Sequence, residues 1–147
     1  MTDIPTRPFN GRFRIRLGLA LTIIGFFIFV LGADPGLYNL DHSPVTGFVQ
    51  ISVFLFGLFI ICVGGYITLN SLWNGKQKTI AADIGLRLVA TGYVIAFMSG
   101  FADIFGLGSH PLPDLPDFGP LQAVGVMIGQ GVIAVGFLLL IPSRRKR

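Results

Sequence analysis

Long apolar stretches and short polar segments alternate along this chain, and the alternation occurs four times. A helix needs about 20 apolar residues to cross the hydrocarbon core of a bilayer, and each stretch is long enough. We predict four transmembrane helices, at about residues 15–33, 45–69, 82–106 and 120–141. The pattern therefore predicts an all-α, polytopic integral membrane protein in which residues 1–147 form a single domain.

The predicted helix starts carry residues that are typical of helix N-termini. Ser43 and Pro44 are suited to the N-cap and the first helical position of the second helix, because Pro lacks the N–H that would be unsatisfied there. Gly119 and Pro120 repeat this arrangement before the fourth helix. Thr79 is a suitable N-cap for the third.

Composition agrees with a membrane protein. The chain is 52% hydrophobic and only 12% charged, whereas a soluble domain typically carries about 25% charged residues. Its basic residues flank the apolar stretches, which indicates membrane orientation rather than binding to nucleic acid. The single cysteine, Cys62, excludes an internal disulfide and a metal-binding cysteine pair.

The distribution of charge predicts the orientation of the helices. With the helices as drawn, all eleven Lys and Arg residues lie on one side, and the two opposite segments contain no basic residue. Those segments contain five aspartates: Asp34, Asp41, Asp103, Asp114 and Asp117. The positive-inside rule then places both termini in the cytoplasm of a plasma membrane of the bacterial inner-membrane type, with Trp73 at the inner boundary.

A cleaved signal peptide is the alternative interpretation of the first apolar stretch, because that stretch has a basic start and an apolar core. Leu31 would occupy the −3 position of the cleavage site, where a small residue is required. We therefore expect the first helix to be retained.

The second and fourth predicted helices resemble each other at an offset of 72 residues. Gly57 then matches Gly129, and Gly64 matches Gly136. This correspondence predicts an up-down bundle of two tandemly duplicated helical hairpins, repeat 1 at about residues 11–72 and repeat 2 at about 79–143. Coincidence in a glycine-rich apolar sequence is the alternative, since the first and third helices match only weakly.

Small residues recur every seven positions in all four predicted helices, and in the third helix the series runs to Gly106. Small residues let helix backbones approach closely in lipid, where there is little hydrophobic drive between helices. We predict helix packing at Gly25, Gly57, Gly64, Gly92, Gly129 and Gly136. A dimer contact at Gly125-x3-Gly129 is the alternative, although that motif alone is a weak signal.

Gln50 and Gln122 are the main candidates for polar contacts inside the membrane. We place both about two turns inside their helices, where an unsatisfied amide would cost several kcal/mol. We expect a hydrogen bond that joins the two hairpins, or alternatively a pair of anchors for a ligand between them. Gln130 is expected to face elsewhere.

Asp34 and Asp103 occupy matching positions at the outer helix ends. Turn capping is the favoured role, and a proton or cation site at Asp103 is the alternative. His42 and His110, one in each outer turn, could bind a divalent metal beside the neighbouring aspartates, but no specific ligand spacing supports a metal site.

The sequence contains no phosphate-binding loop and no convincing catalytic constellation, so we expect neither an enzyme nor a cofactor. The favoured function is a non-catalytic accessory or structural subunit of a membrane assembly, whose partners are the lipid bilayer and other membrane subunits or a second copy. The alternative is a small dimeric transporter or channel with an outer-facing polar cavity, and a metal site or enzyme on the outer face is the least favoured.

Overall fold

A computed structural model describes residues 10–38, 47–107 and 119–142. The described residues form four α-helices, α1 (Gly11–Ala33), α2 (Phe48–Leu72), α3 (Ile80–Gly100) and α4 (Pro120–Leu140), with a short 3-10 helix at Pro35–Tyr38 and no strand. All four α-helices are long and apolar enough to span a membrane. This confirms the prediction of an all-α chain with four candidate transmembrane helices.

The starts of α3 and α4 agree with the sequence prediction. Thr79 is the N-cap of α3, and its hydroxyl oxygen accepts a hydrogen bond from the backbone N–H of Ala82 at 3.2 Å. Gly119 is the N-cap of α4, and Pro120 is its first residue. For α2 the N-cap is Gly47, while the predicted cap at residues 43–44 lies outside the described residues.

The end of α3 differs from the prediction. The α-helix ends at Gly100, not near residue 106, and a series of tight turns follows. These turns end at Gly106, which has φ 71°. The Gly106 N–H donates to the carbonyl of Asp103 (3.1 Å), and the Leu107 N–H donates to the carbonyl of Ala102 (2.8 Å). These two bonds form a Schellman motif, which requires a residue in the left-handed region. Gly106 is therefore a turn residue and not a member of the packing series.

Helix α1 lies antiparallel against α2, with glycines at the points of closest approach. A Cβ added at Gly18 would lie 2.8 Å from the Gly64 carbonyl oxygen, and one added at Gly25 would lie 3.0 Å from that of Gly57. Glycine allows this approach because it has no side chain between the backbones.

Helices α3 and α4 meet in the same way. A Cβ at Gly85 would lie 2.5 Å from the carbonyl oxygen of Gly136, and one at Gly92 would lie 2.6 Å from that of Gly129. Ser99 continues this series, since Gly125 of α4 lies against its side chain.

Helix α2 also packs against α3 and α4, and the buried residues between them form the main core: Ile51, Leu55, Leu58, Cys62, Val89, Ala96 and Ile133. Ring contacts extend the α2–α3 contact, with Phe48 and Phe101 5.6 Å apart and Phe59 and Tyr93 5.5 Å apart between centroids.

The contacts place two of the three described aspartates, Asp34 and Asp103, at one end of the molecule, which we call the acidic end. The described basic residues lie at or near the other, the basic end: Arg12, Arg14, Arg16, Lys76, Lys78 and Arg87.

Candidate functional site

A cleft of about 260 Å³ lies in the acidic half of the molecule, between the end of α1, the first two turns of α2 and one face of α4. Gln50 and Phe54 line it from α2, and Val126, Met127 and Gln130 line it from α4. Its walls are mostly apolar, and the two glutamines supply its side-chain amides.

The position of Gln130 follows from helical spacing. Ala123, Val126, Met127 and Gln130 all line the cleft, and their i, i+3, i+4, i+7 spacing places them on one face of α4. Ten residues of α4 precede Gln130 and ten follow it. If α4 spans a bilayer, this amide lies near the middle of the hydrocarbon core.

Neither Gln50 nor Gln122 lies as deep in its helix as predicted. Gln122 is the third residue of α4 and Gln50 the third residue of α2, so neither lies two turns inside its helix. The buried Gln122 side chain accepts a hydrogen bond from the Gly119 N–H at 3.2 Å, which satisfies one of the free N–H groups at a helix start.

Gln130, which we expected to face elsewhere, shares the cleft with Gln50. Its place in the middle of an apolar stretch was the available signal, because amides at that depth are costly without a partner. Among the described residues, no hydrogen bond is formed by the side chain of either Gln50 or Gln130.

The two matched aspartates have different environments. Asp34 is exposed, and its Oδ1 accepts a hydrogen bond from the Gly36 N–H at 3.1 Å, which is a turn-capping arrangement. Asp103 is only 7% exposed, and its Oδ1 has no hydrogen-bond partner among the described residues. An unsatisfied buried polar atom is uncommon in native proteins, so Asp103 is a candidate for a functional group.

His42 and His110 lie outside the described residues. Within the described part of the chain, no group of three or more His, Cys, Asp or Glu residues could hold a metal ion.

The glycines selected from the sequence all lie at helix contacts. Gly25, Gly57 and Gly64 lie between α1 and α2, and Gly92, Gly129 and Gly136 lie between α3 and α4. Gly125 packs on Ser99, so the Gly125-x3-Gly129 face is directed at α3 within the same chain.

Gly131 is different. It is exposed, and a Cβ added to it would meet no atom within 4 Å. It follows Gln130 directly, so two unusual positions of α4 are adjacent in the chain.

No protein-family model, curated protein or solved structure matches this chain.

Proposed function

We propose that the protein is a non-catalytic accessory or structural subunit of a membrane assembly, located in a plasma membrane of the bacterial inner-membrane type with both termini in the cytoplasm. The observation that carries this proposal is the exposed Gly131 in the middle of α4. The exposed Ala134 lies beside it, about one turn further along.

Gly131 has no explanation within the described chain. Each of the other described glycines inside an α-helix would bring an added Cβ within 4 Å of another part of the structure, and Gly131 alone would not. A glycine inside a helix costs about 1 kcal/mol relative to alanine. In lipid that cost is offset when the missing side chain allows another backbone to approach. A helix from a partner subunit would fill this notch between Met127 and Leu138, which are both 67% exposed.

We also infer that the four helices form an up-down bundle of two tandemly duplicated hairpins. The α2 and α4 glycines match at an offset of 72, and the α1 and α3 glycines match at a second constant offset: 85 − 18 and 92 − 25 both equal 67. Corresponding glycines also have corresponding contacts, since Gly18 meets Gly64 and Gly85 meets Gly136.

In a duplicated chain, positions at which the two repeats carry different residues point to a role that only one repeat has. At the offset of 72, Gln130 corresponds to the buried Leu58, and Gly131 corresponds to Phe59. Repeat 2 thus has an amide and a glycine where repeat 1 has two large apolar side chains. This difference favours a role for α4 that α2 does not share.

Co-purification tests the subunit function. The full-length protein, extracted in mild detergent, is expected to retain other membrane proteins, or a second copy, at fixed stoichiometry. Gly131→Leu should remove the partner, because leucine fills the notch. Ala90→Leu, which places the same side chain at an exposed position of α3, should leave it bound. A monodisperse monomer for the wild type, or a partner retained by Gly131→Leu, would contradict the proposal.

The second candidate is a small dimeric transporter or channel with an outer-facing polar cavity. The buried Asp103, whose Oδ1 has no hydrogen-bond partner among the described residues, favours it, because buried carboxylates in membrane proteins commonly mark ion or proton pathways. Proton or cation flux into liposomes should then be abolished by Asp103→Asn and kept by Asp34→Asn, which changes the exposed matching carboxylate. Flux that survives Asp103→Asn would remove Asp103 from the mechanism.

A further inference from the structure

We propose that the cleft between α1, α2 and α4 binds an uncharged, lipid-soluble molecule through hydrogen bonds to Gln50 and Gln130. This function goes beyond the subunit role and does not rest on the Gly131 face.

The amide of Gln130 needs a partner that the described chain does not supply. An amide has two N–H donors and a carbonyl acceptor, and at the depth of Gln130 there is no bulk water to satisfy them. Gln130 is half-buried, lines the cleft and forms no hydrogen bond among the described residues. A molecule held in the cleft would supply the missing donor or acceptor.

The lining determines the charge of that molecule. None of the described residues that line the cleft is charged. An ion that entered it would lose its hydration without gaining an opposite charge, which costs free energy. Phe54, Val126 and Met127 provide apolar walls on two helices. Apolar pockets with a few convergent polar groups are the usual form of small-molecule sites.

The size of the cleft sets the size of its occupant. Its volume of about 260 Å³ exceeds the ~150 Å³ of an engineered apolar cavity that holds benzene. A ring with a short chain, or a chain of several carbons, would fit.

A phospholipid tail is a poor occupant, because it carries no hydrogen-bonding group at the depth of Gln130. The ligand instead carries a carbonyl or hydroxyl group on an apolar body. Two sources share this chemistry: a neutral lipid of the membrane and a small apolar solute that partitions into it.

Photolabelling with a matched pair of competitors tests the site. The probe is a diazirine analogue of 2-decanone, applied to the full-length protein in phosphatidylcholine nanodiscs. Label is expected on the cleft walls, in the peptides that contain Phe54 and Met127. 2-Decanone should compete about tenfold better than n-decane, because only the ketone accepts a hydrogen bond from an amide. Equal competition by the two compounds, or label confined to other surfaces, would overturn the proposal. Either result is expected if water alone occupies the cleft.

Variants test the contribution of the amide hydrogen bond separately from that of the cleft volume. Gln130→Leu keeps the volume and removes the amide, so labelling should persist while the tenfold ketone preference is lost. Thr91→Val is the matched control, since it replaces another polar side chain in the membrane-spanning region, one whose hydroxyl donates to the Arg87 carbonyl within α3. It should leave the preference unchanged. If Gln130→Leu does not fold, Ala123→Leu, which narrows the cleft, should reduce labelling severalfold. A preference unaltered in Gln130→Leu, or labelling unaltered in Ala123→Leu, would contradict the assignment.

Native mass spectrometry distinguishes the two sources. A neutral lipid that co-purifies and is displaced by 2-decanone identifies a membrane constituent, whereas ketone preference without a co-purified molecule identifies a solute. Gly131→Leu should bind the probe normally. Probe binding therefore tests the cleft proposal, while loss of the partner from Gly131→Leu tests the subunit proposal, and the two proposals can fail independently.

Discussion

Glycine has two different uses in α2 and α4. Gly57 lies directly against the backbone of Phe29 in α1, while Gly131 lies on an open surface of α4. Both are interior helix positions, so helix propensity alone would favour alanine at each. Packing within the chain explains Gly57, and only a contact beyond the described chain would explain Gly131.

The first prediction compares these two glycines. Gly57→Ala should destabilise the protein by about 2 kcal/mol, because the added methyl group overlaps backbone atoms that cannot move independently. Gly131→Ala should leave the isolated protein unchanged or stabilise it by up to about 1 kcal/mol. Reversible unfolding of the two variants in mild detergent measures both effects. Equal destabilisation by the two substitutions would show that the open surface at Gly131 is not open in the folded protein.

At the scale of the helix, the ends show what local sequence can and cannot determine. The starts of α3 and α4 could be predicted, because Thr79 and the Gly119–Pro120 pair act on the first turn of their own helix. The end of α3 could not be placed as well. The apolar stretch continues past Gly100, and the change from helix to successive turns depends on hydrogen bonds that hydropathy does not reveal.

Trp73 makes a contact between helices that the local sequence could not predict. Its position at the end of an apolar stretch indicated an aromatic residue of the membrane boundary. In the structure it is only 8% exposed, and its indole Nε1–H donates to the carbonyl of Leu140 at 3.0 Å. That carbonyl lies in the last turn of α4, where no helical N–H is available to it. Trp73 therefore joins the ends of α2 and α4.

The second prediction concerns this bond. Trp73→Phe keeps an aromatic ring but removes the N–H, and it should cost about 1 kcal/mol of unfolding free energy. Amide hydrogen exchange in the last turn of α4 should become faster, while exchange in the middle of α3 should not change.

Tyr66→Phe is the matched control. Tyr66 packs on the same buried cluster as Trp73, and its hydroxyl forms no hydrogen bond between the two helices among the described residues. The same local increase in exchange for Tyr66→Phe would mean that packing of the cluster, rather than the indole bond, holds the end of α4.

At the scale of the whole molecule, periodicity could predict which faces of the helices carry glycine, because that information lies within each helix. It could not predict the cleft. The meeting of Gln50 and Gln130 depends on the relative rotation and depth of α2 and α4, which are set by contacts between helices. The different burial of Asp34 and Asp103 is likewise a property of the folded molecule, since the sequence alone led us to expect matching positions for the two residues.

The third prediction concerns the orientation of the molecule in the membrane. Among the described residues, the acidic end carries no basic side chain, while Arg12, Lys76 and others lie at the opposite end. Because basic segments stay in the cytoplasm during insertion, the acidic end should face outward. Gln77 and Leu107 are exposed and therefore suit cysteine labelling, whereas Gly75 has φ 79° and would be strained by a cysteine.

In a Cys62→Ala background, which removes the one native thiol, a membrane-impermeant maleimide should label Leu107→Cys in intact cells. Gln77→Cys should react only after the membrane is opened. Labelling of Gln77→Cys in intact cells, with Leu107→Cys protected, would show that the molecule has the opposite orientation in the membrane. The cleft and Asp103 would then lie in the cytoplasmic half of the molecule, and an outer-facing cavity would no longer be a candidate. The glycine contacts and the Gln130 site would stand, because neither depends on which side is outside.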